Sequence, residues 1–163
     1  MDTSAIFGLP KLSHFTISGK RPPINFARLA SVRHLIVEHH KRDTGLDNMP
    51  NLKRMHLWRF KTANKEAFEF ELPKSLEELG VFWSNVDGLE GFGVFPNVKR
   101  LEIARCRNFQ SLGNLKKSFP RLEHLDVDAC GRLTVAEARR ALAGHKTIKH
   151  AFAGKQFIVS SKG

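Results

Sequence analysis

A single phrase, apolar-x-x-apolar-x-apolar, recurs along the chain and restricts it to folds made by stacking similar units. It reads Leu12-Ser-His-Phe15-Thr-Ile17, Val32-Arg-His-Leu35-Ile-Val37, Leu52-Lys-Arg-Met55-His-Leu57, Leu76-Glu-Glu-Leu79-Gly-Val81, Val98-Lys-Arg-Leu101-Glu-Ile103 and Leu122-Glu-His-Leu125-Asp-Val127. A worn seventh copy is Ile148-Lys-His-Ala151-Phe-Ala153. The starts lie 20, 20, 24, 22, 24 and 26 residues apart, and a period of that size marks a repeat array. Pro stands two residues before the phrase in four copies (Pro10, Pro50, Pro96 and Pro120), and Pro73 stands one residue further upstream of its own. A strand alternates its side chains with period two. The fourth and sixth residues of each phrase therefore share one face, and the third, fifth and seventh share the other. One unit is too short to bury its own apolar side, whereas stacked copies share a continuous core.

Extended by three residues, the phrase resembles the L-x-x-L-x-L-x-x-N/C pattern of the leucine-rich repeat family over nearly the whole chain. The family's N/C position is held by Cys106 and Cys130 in the fifth and sixth copies, and Cys130-Gly-Arg-Leu133-Thr134 is similar to the cysteine-containing subclass. Lys20, His40, Phe60 and Ser84 stand there in the first four copies. The resemblance implies a single α/β domain over residues 1–163, a leucine-rich repeat solenoid of about six to seven repeats. In such a fold a curved parallel β-sheet forms the concave face, and short helices and irregular turns form the convex one. Residues 1–11 and 155–163 are the expected end caps. The resemblance also implies that Cys106 and Cys130 point inward as reduced, inert thiols. The departures in the first four copies argue against a continuous ladder of such residues. Among the return segments, Thr134-Val-Ala-Glu137 is a capping-box pattern with Gly144 placed to end a helix. Glu69-Phe-Glu-Leu72-Pro73 reads as extended, and the glycine-rich Gly88–Gly93 as a turn.

The register assigns the exposed side chains to columns. The third positions are His14, His34, Arg54, Glu78, Arg100, His124 and His150; the fifth are Thr16, Ile36, His56, Gly80, Glu102, Asp126 and Phe152. The seventh are Ser18, Glu38, Trp58, Phe82, Ala104, Asp128 and Gly154. Seven strands about 4.8 Å apart make a sheet roughly 29 Å across, the width of a partner's surface rather than of a small-molecule pocket. Trp58 and Phe82 are expected side by side on the solvated face, with Ile36 and His56 nearby. Trp83 is read either as part of this patch or as folded into the core or rim. Exposed aromatics of this kind make a hot spot for protein binding, and Arg54 and Arg100 of the third column are assigned to the same surface. Glu102, Asp126 and Asp128 form an acidic patch further along.

Charge is the second constraint. The 163 residues hold 27 Lys+Arg against 16 Asp+Glu, a net charge of +11. The turns that leave the strands are repeatedly basic: Lys20, Arg21, Lys41, Arg42, Arg59, Lys61, Arg105 and Arg107. Stacking collects them onto one rim. Such a stripe steers an acidic protein surface or a phosphate backbone, or it is a solvated edge that discourages strand-edge association. No base-reading motif accompanies it.

Chemistry is not evident. Eight histidines invite a metal, but there is no H-E-x-x-H or C-x-x-C, and a specific site needs three or four supported ligands. There is no nucleophile elbow and no phosphate-binding glycine loop. No cofactor, metal or enzymatic activity is expected. Two cysteines, no basic-then-apolar leader and no apolar run of about 20 residues predict a cytoplasmic setting without membrane insertion. The expected function is non-catalytic recognition of a protein partner, with an acidic surface, through the exposed face of the sheet. An immunity or antitoxin-type inhibitor is one form of it. Nucleic-acid or other polyanion binding through the basic rim is the alternative.

Overall fold

The computed structural model describes residues 4–61 and 71–160. Six of its strands fall on the six clear copies of the phrase: β1 (His14–Ile17), β2 (His34–Glu38), β3 (Arg54–Trp58), β4 (Glu78–Phe82), β5 (Arg100–Ala104) and β6 (His124–Asp128). The worn copy forms β7 (His150–Ala153), and Gln156–Ser160 adds β8. All eight lie in one sheet in chain order. Neighbours from β1 to β7 are parallel, in the register the repeat predicts: His14 pairs with His34, His34 with Arg54, Arg54 with Glu78, Glu78 with Arg100, Arg100 with His124 and His124 with His150. The fold is α/β, with an eight-stranded, mostly parallel sheet and few helices among the described residues.

The spaced prolines have a local cause. Before each of the six clear phrases the chain makes a tight turn, with the first phrase residue donating its N–H to the carbonyl three residues back: Leu12 to Leu9, Val32 to Leu29, Leu52 to Met49, Leu76 to Pro73, Val98 to Phe95 and Leu122 to Phe119. Pro10, Pro50, Pro96 and Pro120 occupy the second turn position, where the fixed φ of proline is already correct and its N–H is not needed. Pro73 sits at the first position instead and supplies the carbonyl, which accounts for its displacement by one residue.

The fourth and sixth residues of each phrase enter the core. Leu35, Val37, Met55, Leu57, Leu101, Ile103 and Leu125 are buried, whereas Phe15 and Ile17 on the first strand are half-buried because nothing stacks beyond them. The return segments close the other side with Phe26, Met49, Phe95, Phe109 and Phe119. One return is the helix α2 (Val135–Leu142); a single turn, α1 (Leu115–Ser118), occupies another. Thr134 caps α2 by accepting the Glu137 N–H at 3.1 Å, and Gly144 follows its end at φ +67°.

Two features depart from a plain repeat. β8 runs antiparallel to β7 through a two-residue turn, Gly154-Lys155, both at positive φ as a tight hairpin of this kind requires. The expected extended segment Glu69–Pro73 lies partly outside the described residues, as do the outermost residues of both expected caps. The described part, 71–73, has no regular structure.

Leu101, fully buried in the middle of the sheet between Leu79 and Leu125, tests the shared core. Leu101→Ala is expected to cost about 2–5 kcal/mol as a buried large-to-small change, read from chemical denaturation. A loss under about 1 kcal/mol would mean that the strands do not share a packed core.

Candidate functional site

The exposed face is organised around a glycine. Gly80 lies on β4 between His56 and Glu102 of the neighbouring strands. A Cβ built there would come within 2.5 Å of the Phe82 ring and 2.9 Å of the His56 ring. Phe82 therefore lies flat across the space that Gly80 leaves, with the edge of His56 against it at 5.3 Å. This corrects the expected exposure of Phe82: it is on the solvent side of the sheet but only 8% exposed, covered by its neighbours rather than by the core.

Trp58 is the largest of those neighbours. It stacks on Phe82 at 5.1 Å and on Trp83 at 4.9 Å, with ring planes 27° and 19° apart. Trp83 resolves the open alternative toward the surface, at 47% exposed. Its φ of +48° puts it in the left-handed region that side chains rarely adopt, and this swings the indole back over Trp58. The Arg105 guanidinium lies 4.8 Å from the Trp83 ring centre, a cation–π contact. Phe82, Trp58, Trp83 and Arg105 thus form one continuous stack.

The left-handed residue is itself repeated. Arg59, Trp83, Arg105 and Ala129 each follow directly on a strand, at φ +51°, +48°, +57° and +51°. The N–H groups of Arg59, Trp83 and Arg105 donate to the last strand carbonyls of the next turn, Phe82, Ala104 and Asp128, at 2.9–3.0 Å. The sheet is thereby extended by one residue, and the three side chains are set in a row with tryptophan between two arginines. Sequence columns that stopped at the seventh position missed this row. Its signal was the set of dipeptides Trp58-Arg59, Phe82-Trp83 and Ala104-Arg105, one from each of three consecutive turns. Non-glycine residues held in this region carry strain and collect at functional sites.

Beside the stack, between β1 and β3, Thr16, Ser18, Ile36, Glu38, Trp58 and Arg59 border a largely apolar notch of about 210 Å³. The Trp58 Nε1 donor is buried and has no partner in the structure. Ile36, His56, Trp58, Phe82 and Trp83 lie together on this face. Arg54 and Arg100 do not join them. They stand at the opposite ends of their strands, on either side of Glu78, and Arg54 pairs with it at 3.8 Å.

The residues assigned to the basic rim differ in their surroundings. Arg21 does not belong to it. Its guanidinium makes a two-pronged ion pair with Asp43, both bonds 2.6 Å, with the two side chains 1% and 0% exposed. Asp43 also accepts the backbone N–H groups of Ile24 and His40 at 3.0 Å. Burial pushes the carboxyl upward, but these three donors outweigh it and hold its pKa below the usual value. Arg21 is a clamp for the loop after β2, because a buried charge persists only when paired. Arg59 reaches Glu38 at 3.6 Å. Lys20, Lys41, Arg42, Lys61, Arg105 and Arg107 are exposed and form no ion pair among the described residues.

The remaining columns are ionic and aromatic ladders. Glu102, half-buried beside Asp126, has its pKa raised by burial and then by that neighbouring carboxylate. His150 contacts Asp126 at 3.3 Å. His14, His34 and His56 meet edge to face at 5.4 and 5.3 Å. Among the described residues no group of three His, Cys, Asp or Glu side chains is arranged to hold a metal ion. No described helix is long and apolar enough to cross a membrane. Comparison with family models, curated proteins and solved structures finds no match for the chain.

The histidine ladder carries a pH prediction. Burial lowers the pKa of His34 and His56 below 6.5, reinforced for His34 by Arg54 and His14 and for His56 by His34 and Arg54, with Glu78 opposing in both. As pH falls through the ordinary histidine range, the unfolded chain takes up protons that the folded rings refuse, so stability declines. Urea denaturation at several pH values should show this decline on acidification from neutrality, and His34→Gln with His56→Gln should flatten it. An unchanged slope in the double variant would show that these two rings titrate alike in both states.

Proposed function

We propose that this chain is a leucine-rich repeat solenoid, a single domain that acts in the cytoplasm as a non-catalytic recognition module for a protein partner. The observation that carries the reading is the Phe82–Trp58–Trp83–Arg105 stack beside an apolar notch on the outer sheet face. Aromatic and arginine side chains held rigidly at the centre of a surface are what binding hot spots are made of, since little conformational entropy is lost when they are covered. The exposed rim cations Lys20, Lys41, Arg42, Lys61 and Arg107, with no ion pair among the described residues, favour a partner with an acidic border, which they would attract at long range while the stack supplies the short-range contact.

A second reading has its own support. The stack ends on the Arg105 guanidinium, in a row with Arg59, an arrangement suited to a nucleobase laid on that guanidinium with its phosphates on the rim. The two readings differ in their response to salt. Phosphate binding weakens steeply as salt rises, whereas aromatic contacts respond little.

Trp83→Ala separates them, because this exposed side chain is not part of the core and its loss should leave the protein folded. Immobilised wild type and Trp83→Ala are to be compared for retained polypeptides after nuclease treatment at physiological salt. A protein held by the wild type and lost by the variant, with an affinity loss of about 2 kcal/mol or more on purification, is expected. Binding of a single-stranded oligonucleotide should stay at the weak, salt-sensitive level of a basic surface, with Kd around 10⁻⁴–10⁻⁶ M. Tight oligonucleotide binding abolished by Trp83→Ala would replace the protein reading with the nucleic-acid one.

A further inference from the structure

Cys106 and Cys130 occupy the same place in adjacent turns, two residues beyond the paired ends of β5 and β6, where Ala104 faces Asp128. Each sulfur lies within hydrogen-bonding distance of the carbonyl of its own strand's last residue and of a carbonyl one turn back: Cys106 near Ala104 and Val81, Cys130 near Asp128 and Ile103, at 3.4–3.6 Å. Equivalent residues on paired parallel strands stand about 4.8 Å apart, inside the Cα separation that a disulfide spans without backbone movement. The Cys130 side chain leans toward the turn that carries Cys106.

The two sulfurs differ in surroundings. Cys106 is buried beneath the Cys130 turn, whereas Cys130 is half-buried. After β7 the chain reverses at Gly154-Lys155 instead of laying another turn over Cys130. This leaves an open pocket of about 480 Å³ whose wall includes Cys130, Leu133, Gly154 and Lys155. Burial and pairing divide the acidity accordingly. The Cys106 thiol, beside the Cys130 sulfur and shielded from water, is held in its protonated form. The Cys106 thiol and backbone N–H stabilise the charge on Cys130, against its own partial burial and the Asp128 carboxylate, and lower its pKa. A thiolate in contact with solvent is the nucleophilic form of cysteine.

We propose that Cys130 is a site of oxidative modification by a hydroperoxide, with Cys106 as the resolving thiol. The Cys130 thiolate attacks the distal peroxide oxygen. The O–O bond breaks, an S–O bond forms to give the sulfenic acid, and the alkoxide or hydroxide that leaves takes a proton from solvent. The Cys106 sulfur, giving up its own proton, then attacks the Cys130 sulfur and displaces the oxygen as water. Two thiols are thereby oxidised to one disulfide and the peroxide is reduced to an alcohol or water. The site is independent of the aromatic stack, so it stands whether or not a partner binds there.

The test uses the full chain, fully reduced, with hydrogen peroxide as the oxidant. Brief iodoacetamide treatment of the folded protein is expected to modify Cys130 at least about tenfold faster than Cys106, which should react only on unfolding. Peroxide should remove two hydrogens from the intact mass, reversibly with dithiothreitol. Cys106→Ser should gain one oxygen at Cys130, trapped by dimedone, and Cys130→Ser should remain unmodified at the same dose. Faster alkylation of Cys106, no labelling of either thiol in the folded chain, or no disulfide from wild type under peroxide would each overturn the proposal. The wild-type measurements decide it even if a serine variant does not fold.

Discussion

The parallel register of β1–β7 is the constraint on which the rest of the structure depends. The side-chain period of a strand is two, so a slip of one residue anywhere in the ladder would exchange the faces. Leu101 and Ile103 would then turn outward, and Glu102 would enter the core. Two devices hold the register at opposite ends of each strand. At the entry, the tight turn closed on Leu12, Val32, Leu52, Leu76, Val98 and Leu122 starts β1–β6 at the same height. At the exit, the left-handed residues Arg59, Trp83 and Arg105 carry the ladder one residue further before the chain leaves the sheet. Trp83 and Arg105 belong both to the strained exit and to the aromatic stack, so the feature that terminates the strands also helps to build the surface.

A second stabilising column runs behind the exits. Ser84 accepts the Phe60 N–H at 3.0 Å and donates to the Phe82 carbonyl at 2.9 Å. In the next two turns the Cys106 and Cys130 sulfurs lie within hydrogen-bonding distance of the matching strand-end carbonyls. Backbone polar groups in a buried turn must be satisfied. A serine hydroxyl and two thiols provide for several of them, so the column begins one turn earlier than the cysteines alone would suggest. Arg21 and Asp43 serve the same need further up, in the loop after β2, with the Asp43 carboxylate accepting the Ile24 and His40 N–H groups.

The strands, their order and their inward faces were legible because they follow from a phrase repeated with constant internal spacing. Leu35 and Val37 or Leu125 and Val127 need no knowledge of distant partners to be placed in a core. What was not legible depended on pairs that the phrase does not contain. Phe82 is covered because Gly80 leaves room for its ring and Trp58, 24 residues earlier, closes over it. Arg21 is buried because Asp43 waits in a loop one repeat away. The row Arg59–Trp83–Arg105 fell one residue beyond the alternation that defines the columns, in a backbone conformation that the pattern does not encode. The hairpin into β8 did have a local signal, glycine followed by lysine between two apolar segments, at the edge of what the repeat reading assigned to the C-terminal cap.

The central claim is that one register brings two tryptophans from neighbouring turns into a single rigid stack over Gly80. Far-ultraviolet circular dichroism tests it directly, because two indoles stacked at 4.9 Å couple as an exciton pair. The wild type should show a couplet that disappears in Trp58→Phe and in Trp83→Phe while both remain folded. Gly80→Ala should also erase or invert it, since the added methyl displaces Phe82 from beneath Trp58. A spectrum equal to the sum of two independent tryptophans in the wild type, or an unchanged couplet in folded Gly80→Ala, would contradict the account.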